Sequence, residues 1–377
     1  MDRELQTNLY VVSLLRSALT GEKPPEKPEN VAWRDVFQTA KKHSVSCLAL
    51  HAAKDLQALP EPEVLGEWQQ FYVKNVIAAE KKVVSYDELR QALLAGGFRF
   101  MPLKGWILRA YYPLPELREM CDIDILIDSE EIERLTALMQ SQGFRLKEVI
   151  TYHYGFEKPY LSVELHTGLM PPEYHYYNYY KNPWRLPKQV GDTSEYRFSD
   201  EDYYVFMLAH FAKHYFSSGG GIRYITDLAV FLRRRGQTLD WAFIQKQLKK
   251  LKLVKFDRTA RALADAWFGG KPLDAEAEEM QRYLFHGCTY GSLENFEEGE
   301  LRRQLQNTDS LLLAKTRVFL SKAFLPYRHM CGIYPVLRRV PVLLPACWLH
   351  RFLRILFTKP KNILRQARQA KNTRLSK

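Results

Sequence analysis

Residues 121–127 read Cys-Asp-Ile-Asp-Ile-Leu-Ile, and this segment constrains the fold more than any other. Side chains two apart on a strand share a face. Asp122 and Asp124 therefore take one face, and Cys121, Ile123 and Ile125 the other. The apolar face calls for cover by helices. The carboxylates stand roughly 6–7 Å apart along the strand and repel unless a cation lies between them. A D-x-D on its own fits a solvated strand edge equally well. A second segment, Leu161-Ser-Val-Glu-Leu-His, repeats the layout, with Val163 and Leu165 on one face and Glu164 and His166 on the other. If the two strands are neighbours, three carboxylates converge, the minimum for two-metal phosphoryl transfer. Mg²⁺, a hard ion that takes carboxylate and phosphate oxygens, suits them.

The surrounding sequence reads as an α+β chain. Residues 1–94 carry apolar groups at spacings of three and four, above all over 31–37 and 63–94, and predict helices. The proline-rich stretch 21–28 separates the first two. Gly96-Gly97 stops the last helix, 98–103 is a short strand, and 106–112 a short helix. Ser129 is expected to cap a helix to about residue 142, with Glu130, Glu131 and Glu133 in its first turns and Gly143 at its end. Residues 144–153 and 160–166 read as two further strands, and 202–216 and 222–235 as helices. Lys104-Gly105 sits between strand and helix. A glycine there lets a phosphate approach the backbone near free helix N–H groups, although an ordinary turn also accounts for the dipeptide. The tyrosine-rich stretch 170–184 offers aromatic faces for stacking bases, or an ordered loop packed on the core. The expected divisions are a helical region over 1–94, a catalytic core over 95–190, a helical domain over 191–285 and a basic helical region over 286–377.

The charge is +12 and no acid follows Arg328, which favours anionic partners. Residues 343–357, with Arg351 and Arg354, could lie on an anionic membrane as an amphipathic helix; a terminal helix docked on the body is the plainer expectation. Five widely spaced cysteines with no C-x-x-C argue against a zinc ribbon or a disulfide framework. With no basic, apolar leader at the start, a cytoplasmic protein is expected.

Leu103-Lys-Gly, Tyr112-Pro, Arg118, Asp122-Ile-Asp-Ile-Leu-Ile and Val163-Glu-Leu-His together resemble the bacterial family of uncharacterised nucleotidyltransferases in the polymerase-β superfamily. They are similar also to the abortive-infection nucleotidyltransferases. The leading helices, His210…Lys213-His214…Gly221-Ile-Arg223…Asp227 and Tyr334-Pro extend the resemblance over most of the chain. It implies a small polymerase-β-like mixed sheet between helical regions. It also implies Mg²⁺- or Mn²⁺-dependent transfer of a nucleoside monophosphate from an NTP to an acceptor, whether RNA, protein or small molecule. In that reading Asp122 and Asp124 hold both metals, and Glu164 completes the catalytic metal's shell and helps deprotonate the acceptor. Lys104 and Gly105 meet the β- and γ-phosphates, and Arg118 offsets the leaving pyrophosphate. One position departs from the pattern. Trp106 follows Gly105 where the superfamily carries a small residue, so either a different donor or loss of catalysis is open.

His166, His210 and His214 have the chemistry of metal ligands or acid–base groups, with Lys213 beside the last two. Without H-E-x-x-H, a polar helix face explains His210 and His214 as well. Arg223 and Asp227, one turn apart, fit a helix-surface ion pair. Two competing functions remain: a catalytically silent nucleotide- or RNA-binding protein on the same fold, and a D-x-D glycosyltransferase. The latter needs a nucleotide-binding α/β half before the motif, where this chain reads as helical.

Overall fold

The computed structural model describes residues 2–54, 56, 59–150, 153–171, 174, 176–217, 219–289, 310–325 and 327–358. The chain packs as two compact units, Met1–Lys213 with Gly220–Tyr290, and His214–Gly219 with Gly291–Lys377.

The first unit opens with four helices, α1 (Arg3–Thr20), α2 (Trp33–Lys42), α3 (Ser46–Ala53) and α4 (Pro62–Ala95), as the apolar spacing predicts. Gly97, at φ 67°, carries the chain out of α4 through the left-handed conformation that glycine adopts without cost. Then come β1 (Phe100–Pro102), the single-turn α5 (Gly105–Leu108) and β2 (Asp122–Ile127). After α6 (Ile132–Ser141) the chain lays down β3 (Arg145–Ile150), β4 (His153–Lys158) and β5 (Leu161–His166). The sheet order is β1-β2-β5-β4-β3. β2 and β5 run parallel and the other neighbours antiparallel, so the expected mixed sheet within an α+β chain is present. No strand precedes β1 among the described residues, which leaves a glycosyltransferase without its nucleotide-binding half.

One face of this sheet is the core. Ile123, Ile125 and Ile127 of β2, Val163 and Leu165 of β5 and Phe156 of β4 pack with Tyr86, Leu89 and Leu93 of α4 and Leu135 and Met139 of α6. Burying one such side chain contributes roughly 1.5–3 kcal/mol. The alternation that sends isoleucines into this layer therefore also fixes which way the carboxylates point.

Three expectations are corrected. β4 is a strand of its own where the sequence predicts only the end of one, because His-Tyr-Gly-Phe-Glu-Lys has one aromatic run and a glycine, not a β-branched stretch. Residues 151–152, inside the expected strand 144–153, lie outside the described residues. The cap before α6 is Asp128, whose side chain accepts from the Glu130 N–H at 3.3 Å; Ser129 starts the 3₁₀ turn that leads into the helix. The expected helix 106–112 is α5 followed by a separate 3₁₀ turn, Arg109–Tyr111. In the tyrosine-rich stretch, Tyr176 and Tyr180 are buried and Tyr179 donates to Gln247 at 3.1 Å. These three tyrosines pack as part of the body around α7 (Tyr177–Tyr180).

A two-stranded ribbon, β6 (Lys188–Gln189) and β7 (Tyr196–Arg197), is followed by α8 (Asp200–Tyr215), α9 (Ile222–Arg235), α10 (Trp241–Leu251), α11 (Val254–Gly269) and α12 (Ala275–His286). The second unit contains α13 (Leu311–Ala323), α14 (Tyr327–Ile333) and α15 (Leu344–Thr358). Met330, Cys331, Leu337 and Cys347 form its core. Trp348 of α15 donates to the Leu325 carbonyl at 2.9 Å, so the terminal helix docks within its own unit. No described helix is long and apolar enough to cross a membrane.

Candidate active site

The parallel register of β2 and β5 sets Asp124 opposite Glu164 and Asp122 opposite Ser162. Opposed residues share a face, so all three carboxylates point away from the isoleucine layer. β4 brings His153 opposite His166 on that same face, and Gly155 opposite Glu164.

Asp124 is buried, and a charge there is costly without partners. Lys104 Nζ lies 2.5 Å from its Oδ1, and His166 Nε2 lies 2.6 Å from the same oxygen. Burial works against the Asp124 carboxylate, but the Lys104 ammonium and His166 outweigh it and hold Asp124 far below the usual carboxylate range. Lys104 responds in kind: burial pulls it down, Asp124 overrides that, and the net shift is upward. Asp122 moves the other way, raised by burial and then by the neighbouring charges of Asp124 and Glu164. Glu164 is lowered chiefly by its hydrogen bond with His166, whose Nε2 is 3.4 Å from Oε2. Burial lowers His153. The centre thus holds one aspartate shifted down, one aspartate shifted up and a glutamate shifted down.

Lys104 reaches Asp124 from a strained backbone. Its φ is 49° and ψ −122°, a region that a residue with a Cβ rarely occupies. Two contacts hold it there. Tyr203 donates from its hydroxyl to the Lys104 carbonyl at 2.7 Å, and the Leu103 N–H donates to the Asp124 carbonyl at 2.9 Å.

Behind this turn lies a second polar cluster. Arg118 grips Asp227 with Nε to Oδ1 and Nη2 to Oδ2, both at 2.8 Å, and both residues are buried. Tyr112 donates to the same carboxylate at 2.8 Å. Burial disfavours the guanidinium charge, but Asp227 more than restores it and shifts Arg118 upward. A Cβ at Gly105 would run into this guanidinium, so the glycine is needed where Arg118 passes. The expected surface pair of Arg223 with Asp227 is corrected. The Asp227 side of α9 faces inward to Arg118, and Arg223 donates to the Glu119 carbonyl at 3.2 Å.

The ring of Trp106 packs against Tyr86 of α4, centroids 4.3 Å apart, with Arg109 above it at 4.7 Å. It joins the edge of the core layer. His210 and Lys213 are half-buried on α8, and His214, in the last turn of that helix, groups with the second unit. Sequence reasoning missed His153 and Tyr203, and it named Tyr112 within a motif without assigning it a role. The alternation of His153 and Gly155 with Tyr154 and Phe156 was the one available signal for the first.

Four of the sequence-derived candidates, Asp122, Asp124, Glu164 and His166, thus stand on one sheet face, and a fifth, Lys104, reaches Asp124 from the turn after β1. The chain belongs to the uncharacterised nucleotidyltransferase family, whose model matches residues 29–269, more than half of its length. A search of curated proteins finds no match. Among solved structures the chain is similar to the antibiotic-resistance factor ANT(2'')-Ia, at 15% identity, over 50% of this chain and 95% of that one, with a TM-score of 0.31.

Proposed function

We propose that this protein transfers a nucleoside monophosphate from an NTP to an acceptor hydroxyl or phosphate on a polymerase-β-like centre. The observation that carries the reading is the register of Asp124 against Glu164 on parallel strands, with Asp122 two residues before. Three carboxylates on one face are a donor set of hard oxygens that fits Mg²⁺ or Mn²⁺. Such an ion, held by Asp122, Asp124 and Glu164, supplies charge neutralisation for the attacking and leaving oxygens. Lys104 provides a half-buried cation beside Asp124 that can turn to a phosphate once the carboxylate has another counter-charge. Glu164, half-buried at the open side of the site, is placed to accept the acceptor's proton. Arg118 has two guanidinium nitrogens on Asp227, so we give it the role of backing the Lys104-Gly105 turn. The Trp106 ring, packed on Tyr86, leaves the carboxylate face to the substrate.

One observation favours a second reading, a catalytically silent nucleotide- or RNA-binding protein. Lys104 and His166 already satisfy Asp124 Oδ1, so this carboxylate has counter-charges supplied by the chain itself. Calorimetric titration of the full-length protein with each NTP, with and without Mg²⁺ or Mn²⁺, separates the two. Metal-dependent binding that disappears in Asp122→Asn/Asp124→Asn supports transfer. Metal-independent binding that survives in the double variant supports the silent protein.

A further inference from the structure

The polar face carries more nitrogen than a pure carboxylate centre requires. His153 and His166 are direct cross-strand neighbours, with ring centroids 5.5 Å apart. Glu164 follows two residues before His166 and so projects from the same face. One donor atom from each of His153, Glu164 and His166 lies within 4.8 Å of the other two. We propose that these three residues form a binding site for a borderline first-row dication, with Zn²⁺ preferred over Mn²⁺ and both over Mg²⁺.

Imidazole suits Zn²⁺ and its neighbours in the series, whereas Mg²⁺ keeps to oxygen and water. Two imidazoles and one carboxylate, with a fourth position left to water or substrate, is a known catalytic zinc arrangement. Zinc–donor bonds of about 2.0–2.2 Å put donors roughly 3.4 Å apart in a tetrahedron, so from separations within 4.8 Å the donor atoms need to close by up to about 1.4 Å through side-chain rotation. His153 and His166 are buried while Glu164 is half-buried, so the ion enters from the Glu164 side. Gly155, opposite Glu164, adds no side chain of its own, and the Glu148 side chain of β3 packs over it, so a further carboxylate borders the His153 side of the site. His166 Nε2 faces both Asp124 Oδ1 at 2.6 Å and Glu164 Oε2 at 3.4 Å, so an ion bound through Nε2 would take the place of the Asp124 contact, whereas one bound through Nδ1 would leave Asp124 to orient the imidazole.

This inference extends the reading above by naming the ion preferred at one end of the same face, and it shares Glu164 with that reading. The test contains no nucleotide, so failure of NTP transfer and failure of this site are separate results. Metal-stripped full-length protein is titrated with Zn²⁺ against a chromophoric indicator, in millimolar Mg²⁺. The expected result is one tight equivalent of Zn²⁺ that excess Mg²⁺ does not displace. His153→Ala is expected to weaken it at least tenfold. X-ray absorption on the zinc-loaded wild type gives a readout that no variant's folding can confuse, and two imidazoles in the shell are expected. Equal competition by Mg²⁺, unchanged affinity in folded His153→Ala, or a zinc shell without imidazole each overturns the proposal.

Discussion

The ion pair behind the Lys104 turn offers the sharpest energetic test. Arg118 and Asp227 have side chains that are each 7% exposed and joined by two hydrogen bonds of 2.8 Å. Removing one partner from such a pair leaves an uncompensated buried charge and costs about 3–5 kcal/mol. Asp227→Ala also strands the Tyr112 hydroxyl, which now donates to Asp227, and so belongs at the upper end of that range. Replacing both partners by apolar groups of similar volume removes the desolvation penalty along with the attraction, and is often neutral or stabilising. Arg118→Met/Asp227→Leu is therefore expected to lie within about 2 kcal/mol of wild type, the remainder reflecting the unpaired Tyr112 hydroxyl. Urea unfolding of the full-length protein, followed by tryptophan fluorescence and circular dichroism, measures all three variants. The refuting results are a loss below about 1 kcal/mol in either single variant, or a double variant as costly as the sum of the two. The same proteins test the role assigned to Arg118. A folded double variant that keeps NTP affinity within threefold of wild type agrees with a structural pair, whereas loss of NTP binding in it would return Arg118 to the phosphates.

Three further outcomes follow from the same geometry. Gly105→Ala drives a methyl into the Arg118 guanidinium, which Asp227 holds in place, and should lower stability by about 1–3 kcal/mol; an unchanged unfolding midpoint would contradict it. Lys104→Gly should be more stable than Lys104→Ala by about 1 kcal/mol, because both lose the Asp124 contact while only glycine is at ease at φ 49°; equal unfolding midpoints would mean that the turn relaxes. Burial raises Glu119 to about 7, so the fold favours its protonated form, and its penalty on stability grows as pH rises from the unfolded carboxylate range to about 7 and then levels. Glu119→Gln should flatten that slope and add up to about 3 kcal/mol above pH 7, read as melting temperature against pH, and an unaltered slope would place the ionisation elsewhere.

The parts of this site that the sequence made legible are those in which one strand's alternation does two jobs. In Asp122-Ile-Asp-Ile, the residues that build the core layer and those that carry the charge are interleaved, so burying the isoleucines leaves one orientation for the aspartates. Val163-Glu-Leu-His obeys the same logic, and the parallel register then sets Asp124 against Glu164. His153 lacked that support. It lies on a strand whose third residue is glycine, and its place beside His166 depends on the antiparallel return through Pro159-Tyr160, with Tyr160 at φ 68°. No periodicity within 153–158 records that pairing. The Arg118–Asp227 clasp was hidden for a related reason. Asp227 sits one turn from Arg223, so local spacing favours the wrong partner, while the true partner is 109 residues away and is selected by which side of α9 faces inward. Local pattern therefore locates acids on a strand, but long-range packing decides which cation neutralises each one. At Asp124 that choice fell on Lys104 and His166, which together outweigh burial and hold its carboxylate far below the usual range.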